Sequence, residues 1–288
     1  MWSAGLSTSR RIHRALQAAE PKNCSGTLAK WSVLHETPRE IMKRKALLAV
    51  GFLAAVALTR AGPPFVTDDP EPVEYRHWEV YLGSEYEHSG DGAGGTLPHV
   101  EVNYGAIPNL QLHLITPVAF AAPSGASRQS GYGDTELGAK YRFLEEADGK
   151  PQIGVFPLVE LPTGDSARGL GSGHTQVFLP VWLQKSFGTW TTYGGAGYWI
   201  NPGGGNRNWW LTGWLLQKQV RPGLAVGAEI IHETAPSDFG ESDTKLHVGV
   251  IWDLDETRHI LASIGPTIQG PIGYQAYLAF QFTFGPGK

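Results

Sequence analysis

The C-terminal end of the chain alternates apolar and polar side chains so regularly that few folds can accommodate it. From Tyr274 to Phe284, an apolar or aromatic residue occupies every second position, and Gln281 and Thr283 stand among the positions between them. Successive side chains of a β-strand point to opposite faces of the sheet. This period of two therefore predicts a strand with one apolar face.

The same alternation recurs along the chain after residue 76, and no helical period of useful length accompanies it. Many of the alternating segments run ten to twelve residues, whereas soluble strands usually have about 5–6 residues and tilted bilayer-crossing strands about 9–11. The twelve predicted strands are His77–His88, His99–Gly105, Leu110–Phe120, Asp134–Leu144, Gln152–Leu161, Thr175–Phe187, Trp190–Asn201, Trp209–Val220, Leu224–Glu233, Thr244–Leu254, His259–Pro266 and Tyr274–Phe284.

The connections between these strands alternate in length, which favours a barrel over a soluble sandwich. The long connection Ser89–Pro98 is followed by the short Ile107–Asn109, and the long Pro162–His174 by the minimal Gly188–Thr189. Outer-membrane barrels have long outer loops and short periplasmic turns. An even number of strands places both chain ends on the side of the short turns.

Aromatic residues of the apolar parity collect near both ends of the predicted strands, as expected for rings at the two headgroup levels of a membrane. Hydrocarbon cannot satisfy free strand edges, so such a sheet must close. We predict an all-β, transmembrane, antiparallel up-and-down barrel, closed, of about twelve strands, with a soluble sandwich as the alternative. The predicted girdle consists of Trp78, Tyr104, Tyr141, Trp190, Trp252 and Phe284 at the periplasmic rim and Tyr86, Tyr198, Trp209 and Tyr274 at the outer rim.

The opposite parity predicts the residues that line the lumen. Barrels of about eight strands are filled by side chains and barrels of about 16–18 hold wide channels, so this bore should be narrow. The acidic lining predicts either a passage for neutral or cationic solutes or a hydrogen-bonded ladder that fills the bore. The candidate solute path consists of Glu79, Tyr81, Glu85, Glu101, His113, Glu136, Lys140, Arg142, Glu160, Trp182, Glu229, Lys245 and His247.

The stretch Met42–Ala61 has the organisation of a signal peptide. A basic head at Lys43–Lys45 precedes the apolar run Ala46–Leu58, and small residues flank Arg60 before the expected cleavage near Ala61. The alternative is a short internal helix or anchor. The predicted organisation is an upstream extension at residues 1–41, disordered and arising from a mis-called start, a signal peptide at 42–61, a periplasmic lead-in or plug segment at 62–76 and the barrel at 77–288.

Composition narrows the partners of the predicted mature chain. Residues 62–288 contain 13 Lys and Arg against 24 Asp and Glu, a net charge of −11, which disfavours nucleic acid. The one cysteine, Cys24, lies upstream of these residues, so no disulfide is expected. No spacing of His, Cys and carboxylates predicts a zinc site, and no cofactor is expected. A calcium site at Asp68 and Asp69 is an alternative reading of the lead-in. The predicted partners are outer-membrane lipid, a small-molecule solute and the barrel-assembly machinery that would insert the chain.

Four stretches carry a resemblance to a known family. Pro63–Leu82, "PPFVTDDPEPVEYRHWEVYL", resembles the opening of bacterial outer-membrane transporters of the phenol-degradation MetA-pathway type, and Gly131–Phe143, Pro157–Asp165 and Gly171–Gly188 are similar to later parts. The resemblance covers residues 62–288. It implies a barrel in the outer membrane of a Gram-negative bacterium and uptake of hydrophobic or aromatic compounds. It supplies no catalytic or binding residues.

Two further functions remain open at this point. Some barrels of this size are lipid hydrolases, which need a nucleophile, a base and an orienting group. Ser172 and His174 are the candidates, although no G-x-S-x-G motif is present. The other alternative is a structural barrel that conducts nothing. We expect no enzymatic activity, and a cluster of Ser172, His174 and an amide or carboxylate outside the barrel wall would argue against that expectation.

Overall fold

The computed structural model describes residues 64–286, so the predictions for residues 1–61 lie outside the described part. One 3₁₀ helix, Ser166–Arg168, lies in the longest connection, and no helix of the described residues is long and apolar enough to cross a membrane. The strand segments are β1 Trp78–Ser89, β2 Gly92–Ile107, β3 Leu110–Pro123, β4 Gln129–Tyr132, β5 Thr135–Leu144, β6 Gln152–Val155, β7 Leu158–Leu161, β8 Gln176–Phe187, β9 Trp190–Ile200, β10 Trp209–Arg221, β11 Leu224–Glu233, β12 Asp243–Asp253, β13 Arg258–Gln269 and β14 Gly273–Phe284.

These segments form twelve strands, because two strands are interrupted. β4 and β5 both pair with β3, and β6 and β7 both lie between β5 and β8. Pro157 separates β6 from β7, and proline has no N–H to donate to the ladder. β1 pairs with β14 from Trp78 opposite Phe284 to Ser89 opposite Gly273, which closes the sheet. The predicted closed antiparallel barrel is confirmed.

The apolar face of the strands points away from the barrel axis. On β12, Val248 is 56% exposed, whereas the adjacent His247 is 2% exposed. On β14, Leu278 is 59% exposed and Gln281 is fully buried. A soluble protein would bury the apolar face, so this distribution is the one expected of a barrel whose outer surface meets lipid.

The outward face carries aromatic rings near both ends of the barrel. Trp78 stacks on Tyr104 with ring centroids 4.3 Å apart, at the end where β1 begins. Tyr86 stacks on Tyr274 at 5.7 Å, at the end where β14 begins. Exposed rings of the first group also include Tyr141, Trp190, Trp252 and Phe284. Tyr198 packs on Trp210 at the other end, with ring centroids 4.8 Å apart.

The prediction that Trp209 belongs to the outer girdle is wrong. Its ring stacks on Trp199 at 5.5 Å and lines the lumen. The neighbouring Trp210 is 51% exposed and faces outward in its place. The sequence does not show which face of β10 points inward, because adjacent residues such as Leu215 and Leu216 put apolar side chains on both faces.

The first hairpin is longer than the alternation predicts. β1 continues to Ser89 and β2 already begins at Gly92, so only residues 90–91 form the turn. Gly95 lies so close to β1 that a Cβ on it would stand 2.1 Å from the carbonyl oxygen of Glu85. Glycines fill this part of β2 and carry no side chains, which is why no period of two marks it in the sequence.

The connections differ in length at the two ends of the barrel. One end has the connections 108–109, 145–151, 188–189, 222–223 and 254–257. The other end has the longer connections 162–175, 201–208 and 234–242, the shorter connection 124–128 and the tight turns 90–91 and 270–272. β1 begins and β14 ends at the first of these two ends, beside the short turns.

Candidate functional site

Residues 64–76, here called the N-terminal segment, lie against the inner face of the barrel. The backbone N–H groups of Val66 and Thr67 donate to the two carboxylate oxygens of Glu229 in β11, at 3.0 and 2.8 Å. The N–H of Val73 donates to Gln111 Oε1 in β3 at 2.9 Å. These partners lie on different walls of the barrel, so the segment crosses its interior.

Ion pairs also hold the segment. Lys140 Nζ in β5 lies 2.9 Å from Asp68 Oδ1 and 3.7 Å from Asp69 Oδ1. Nearer the short turns, Arg142 Nη1 lies 3.8 Å from Glu71 Oε1. The side chain of Lys140 is almost fully buried, and a buried charge is stable only when it is paired or hydrogen-bonded. Asp68 and Asp69 provide that partner.

Glycines in the wall provide the space for the segment. A Cβ on Gly213 of β10 would lie 2.1 Å from Thr67 Oγ1, and a Cβ on Gly249 of β12 would lie 2.6 Å from the ring of Phe65. Glycine in a strand often marks the place where another part of the chain approaches closely. Larger inward residues at these two positions would displace the segment.

A cavity of about 450 Å³ remains between the N-terminal segment and the wall. Its apolar side is a stack of rings: Phe178 lies parallel to Trp199 with centroids 4.8 Å apart, and Trp199 lies parallel to Trp209 at 5.5 Å. Trp182 and Leu211 are buried in the same cluster and also line the cavity. The volume suits a small organic molecule, since ligand cavities usually measure about 300–1,000 Å³.

The other side of the cavity is acidic. His113 Nε2 lies 2.9 Å from Glu136 Oε1, and His113 Nδ1 lies 3.6 Å from Glu101 Oε1. Glu79 accepts a hydrogen bond from the hydroxyl of Tyr81 at 2.8 Å. The structure thus brings Glu79, Tyr81, Glu101 and Glu136 of the candidate solute path to one cavity.

Some of the remaining candidate residues line the same cavity, and the others lie elsewhere on the inner face of the barrel. Glu160 of β7 stands opposite Glu136 in the sheet register. Lys245 Nζ pairs with Glu233 Oε2 at 2.7 Å. His247 Nδ1 donates to Glu229 Oε1 at 2.8 Å, so His247 supports the carboxylate that holds the N-terminal segment. Glu85 and Trp182 line the cavity, and Arg142 contacts Glu71 beside it.

Sequence reasoning missed part of the apolar side. Leu158 and Leu211 point into the cavity, although leucine on a barrel strand normally indicates the lipid face. Leu158 directly follows the interruption at Phe156 and Pro157, where the local pattern is broken. For Leu158 the one local signal is its shared parity with the predicted lumen residue Glu160, whereas the ambiguous pattern of β10 gives none for Leu211.

The outer loops do not assemble the arrangement that a hydrolase needs. Ser172 Oγ lies 2.8 Å from Asp134 Oδ2 and 2.7 Å from the carbonyl oxygen of His174, either of which can accept its proton. The ring of His174 turns to Asn201, with Nε2 2.8 Å from Oδ1. A nucleophile and its base should be hydrogen-bonded to each other. In this structure Ser172 instead joins the 162–175 connection to Asp134, and His174 joins it to the 201–208 connection.

A family model described as "Putative MetA-pathway of phenol degradation" matches residues 87–284, well over half of the chain. The chain belongs to this family. The resemblance found in the sequence is therefore confirmed. The N-terminal segment precedes the range matched by the model of the phenol-degradation MetA-pathway family. A comparison with curated proteins gives no match.

Solved structures with the same fold are distant in sequence from this member of the MetA-pathway family. The KdgM porin in complex with disordered oligogalacturonate matches with a TM-score of 0.52 at 10% identity, over 72% of this chain and 99% of that chain. The translocator domain of the autotransporter NalP from Neisseria meningitidis matches at 11% identity with a TM-score of 0.49, over 85% and 96%. The likeness to the KdgM porin shows the barrel fold alone.

Proposed function

We propose that the protein is an outer-membrane channel through which small hydrophobic or aromatic solutes pass passively. The observation that carries this proposal is the cavity of about 450 Å³ inside a closed barrel, with stacked rings on one side and carboxylates on the other. The polar interior of an outer-membrane barrel forms a water-filled channel in porins. Membership of the family supports aromatic compounds as the solute class.

The outer surface supports the proposed location. Its apolar strands and its rings at both ends suit contact with the lipid of the outer membrane of a Gram-negative bacterium. Such a barrel would follow export by the predicted signal peptide at 42–61, cleaved near Ala61, and insertion by the barrel-assembly machinery. These steps are proposals of their own, and mass spectrometry of the membrane-inserted protein would test the cleavage position.

The N-terminal segment is the plug of this channel. It crosses the bore and is held by Glu229 and Lys140, so a solute that fills the cavity needs the segment to move before it can leave. The hydrogen bonds and ion pairs that hold it are individually weak, each contributing about 0.5–3 kcal/mol. These contacts join the segment to the wall and are not part of the strand pairing, so the plug can open while the barrel stays closed.

Ion current through a planar bilayer tests the proposal. The chain from residue 62 should produce unit openings, and phenol should interrupt the current at lower concentration than cyclohexanol, because only phenol stacks on Trp199 and Phe178. Heat-unfolded protein is the control. Absence of current would support the structural barrel instead. Phospholipid hydrolysis that disappears in Ser172→Ala would support the hydrolase.

A further inference from the structure

The acidic side of the cavity carries more negative charge than its partners neutralise. Nine carboxylates line the cavity within residues 64–286, against a single lining lysine, Lys140. Two of the nine, Glu71 and Glu233, pair with Arg142 and Lys245, which lie outside the lining. Asp68 and Asp69 of the N-terminal segment already occupy that lysine. The carboxylates of Glu101 and Glu136 share one neighbour that can be positive, His113. A protonated His113 would still leave a negative excess.

Glu85 increases this excess. It lines the cavity, and the groups that act on it electrostatically are Glu87, Glu101 and Glu136, all of the same sign. Glu85 is exposed to the lumen, and carboxylates of the same sign that lie close together repel one another. A cationic group placed between Glu85, Glu101 and Glu136 would replace that repulsion with attraction.

An independent observation on the apolar side also indicates a ligand. The side chain of Trp182 is 1% exposed, and its indole Nε1 has no hydrogen-bond partner within the described residues. Nε1 of Trp199 is in the same situation. Buried tryptophan N–H groups usually find an acceptor. Both side chains line the cavity, and because both Nε1 atoms are buried, a ligand oxygen becomes that acceptor only when the ring turns slightly toward the cavity.

The two sides adjoin at Phe156. The ring of Phe156 meets the edge of His113, with centroids 5.2 Å apart, and belongs to the same cluster as Trp182. His113 in turn contacts Glu136. One small molecule can therefore reach the rings with one end and the carboxylates with the other.

We propose that the cavity binds a small aromatic amine with a ring hydroxyl. Its ammonium group lies between Glu85, Glu101 and Glu136, its ring packs against Phe156 and Trp199, and its hydroxyl oxygen accepts from the indole N–H of Trp182. The assignment rests on the proposed channel function and specifies its solute class by charge: a cation rather than a neutral or anionic phenol.

Four probes that differ by one group each test the assignment by equilibrium dialysis against the protein refolded in detergent micelles. Tyramine has the ring, hydroxyl and ammonium, 4-ethylphenol lacks the ammonium, phenethylamine lacks the hydroxyl, and 3-(4-hydroxyphenyl)propionate carries a carboxylate instead. Partitioning into empty micelles is subtracted. Tyramine should bind at least about tenfold more tightly than 4-ethylphenol, as a charge-assisted hydrogen bond predicts. The propionate should bind most weakly.

Two variants test the ammonium contact and the hydroxyl contact of the ligand separately. Glu85→Gln should weaken tyramine and phenethylamine about tenfold and leave 4-ethylphenol unchanged, with Glu256→Gln in the exposed turn 254–257 as the charge-matched control. Trp182→Phe should weaken tyramine and 4-ethylphenol but not phenethylamine, with the outward Trp214→Phe as its control. Folding is checked by the heat-dependent shift in gel mobility. If a variant fails to fold, the four probes on the unaltered protein decide alone.

Equal binding of 4-ethylphenol and tyramine would overturn the assignment, as would preferred binding of the propionate. Either result can occur in a barrel that conducts ions, in which case the channel proposal stands and only the solute class is lost. Amine-selective binding without any ion current would have the opposite meaning: the cavity would be a binding site in a barrel that is not a channel.

Discussion

The carboxylate of Glu229 accepts a hydrogen bond of 2.8 Å from the backbone N–H of Thr67, across 162 residues of sequence. The other oxygen of the same carboxylate accepts from Val66 and from His247. Glu229 is 1% exposed, so water cannot replace these partners. One side chain of the wall therefore determines where the beginning of the N-terminal segment lies.

Replacing Glu229 should release the segment while the barrel stays closed. Glu229→Gln puts an amide NH₂ where one oxygen accepts an N–H, which removes a hydrogen bond to a charged group worth about 1.5–3 kcal/mol. The equilibrium fraction of molecules in which the segment is released from the wall should increase roughly 10- to 100-fold. Thermolysin should then cleave before Phe65, Val66 or Val73 correspondingly faster.

Glu241→Gln, in the exposed connection 234–242, is the matched control and should leave the cleavage rate unchanged. The cleaved variant should keep the gel mobility of a folded barrel. Cleavage at the unaltered rate in Glu229→Gln would mean that Glu229 does not hold the segment.

If the apolar face of the strands contacts lipid, a charged substitution on that face should lower the stability of the barrel. Val248 lies in the middle of β12 and faces outward. Val248→Arg should destabilise the barrel by about 2–4 kcal/mol, the cost of an arginine near the bilayer midplane on the lipid face. Guanidinium unfolding in lipid vesicles measures this loss. Phe239→Arg in the 234–242 connection is the control, and an equal loss at both positions would contradict a membrane-facing β12.

The sequence predicts the barrel well because its signal is local. A period of two within one strand, as in Tyr274–Phe284, already shows which face is apolar, and twelve such segments indicate the strand number. Closure follows from the cost of free edges in hydrocarbon. The residue-by-residue pairing of β1 with β14 is known only from the structure, because the sequence of one strand does not show which residues of another strand it pairs with.

The interior of the barrel is less predictable because it depends on partners far apart in sequence. The position of Thr67 is determined by Glu229 and the missing side chain of Gly213, and neither residue signals this in its own strand. Trp209 and Leu211 face inward although the pattern of β10 permits both directions. An apolar residue is equally compatible with a buried position inside the barrel and with a position that faces lipid. Alternation alone therefore cannot identify the apolar residues that face the lumen.

The contacts of Asp255 in the short turn 254–257 predict the pH range in which its carboxylate is protonated. Hydrogen bonds from Arg258 and Thr257 hold the pKa of Asp255 well below its usual range. A depressed pKa contributes stability above the pKa of the unfolded chain, and this contribution is lost as pH falls through the folded value. Protonation of Asp255 should therefore require stronger acid than the ordinary aspartate value of about 3.9.

Carboxyl ¹³C chemical shifts of the refolded protein measure this titration. Arg258→Gln should raise the pKa of Asp255 toward the ordinary value, because it removes the donor that matters most. Lys218→Gln, a cation in β10 that packs over Trp190, is the control. An ordinary pKa for Asp255 in the unaltered protein would show that the turn is open in solution.

A reversible disulfide can show whether the N-terminal segment must move for solutes to pass. A Cβ at Gly213 would lie 3.1 Å from Thr67 Cβ, slightly less than the about 3.5–4.5 Å found in disulfides, so a small shift allows the bond in Thr67→Cys/Gly213→Cys. Residues 62–288 contain no other cysteine. The oxidised form should pass much less current than the reduced form, because the segment can no longer leave the bore, and reductant should restore the current.

Each single cysteine variant is a control without redox dependence. Equal currents in the two redox states would mean that solutes pass beside a stationary segment, through the space lined by Phe156 and Glu101.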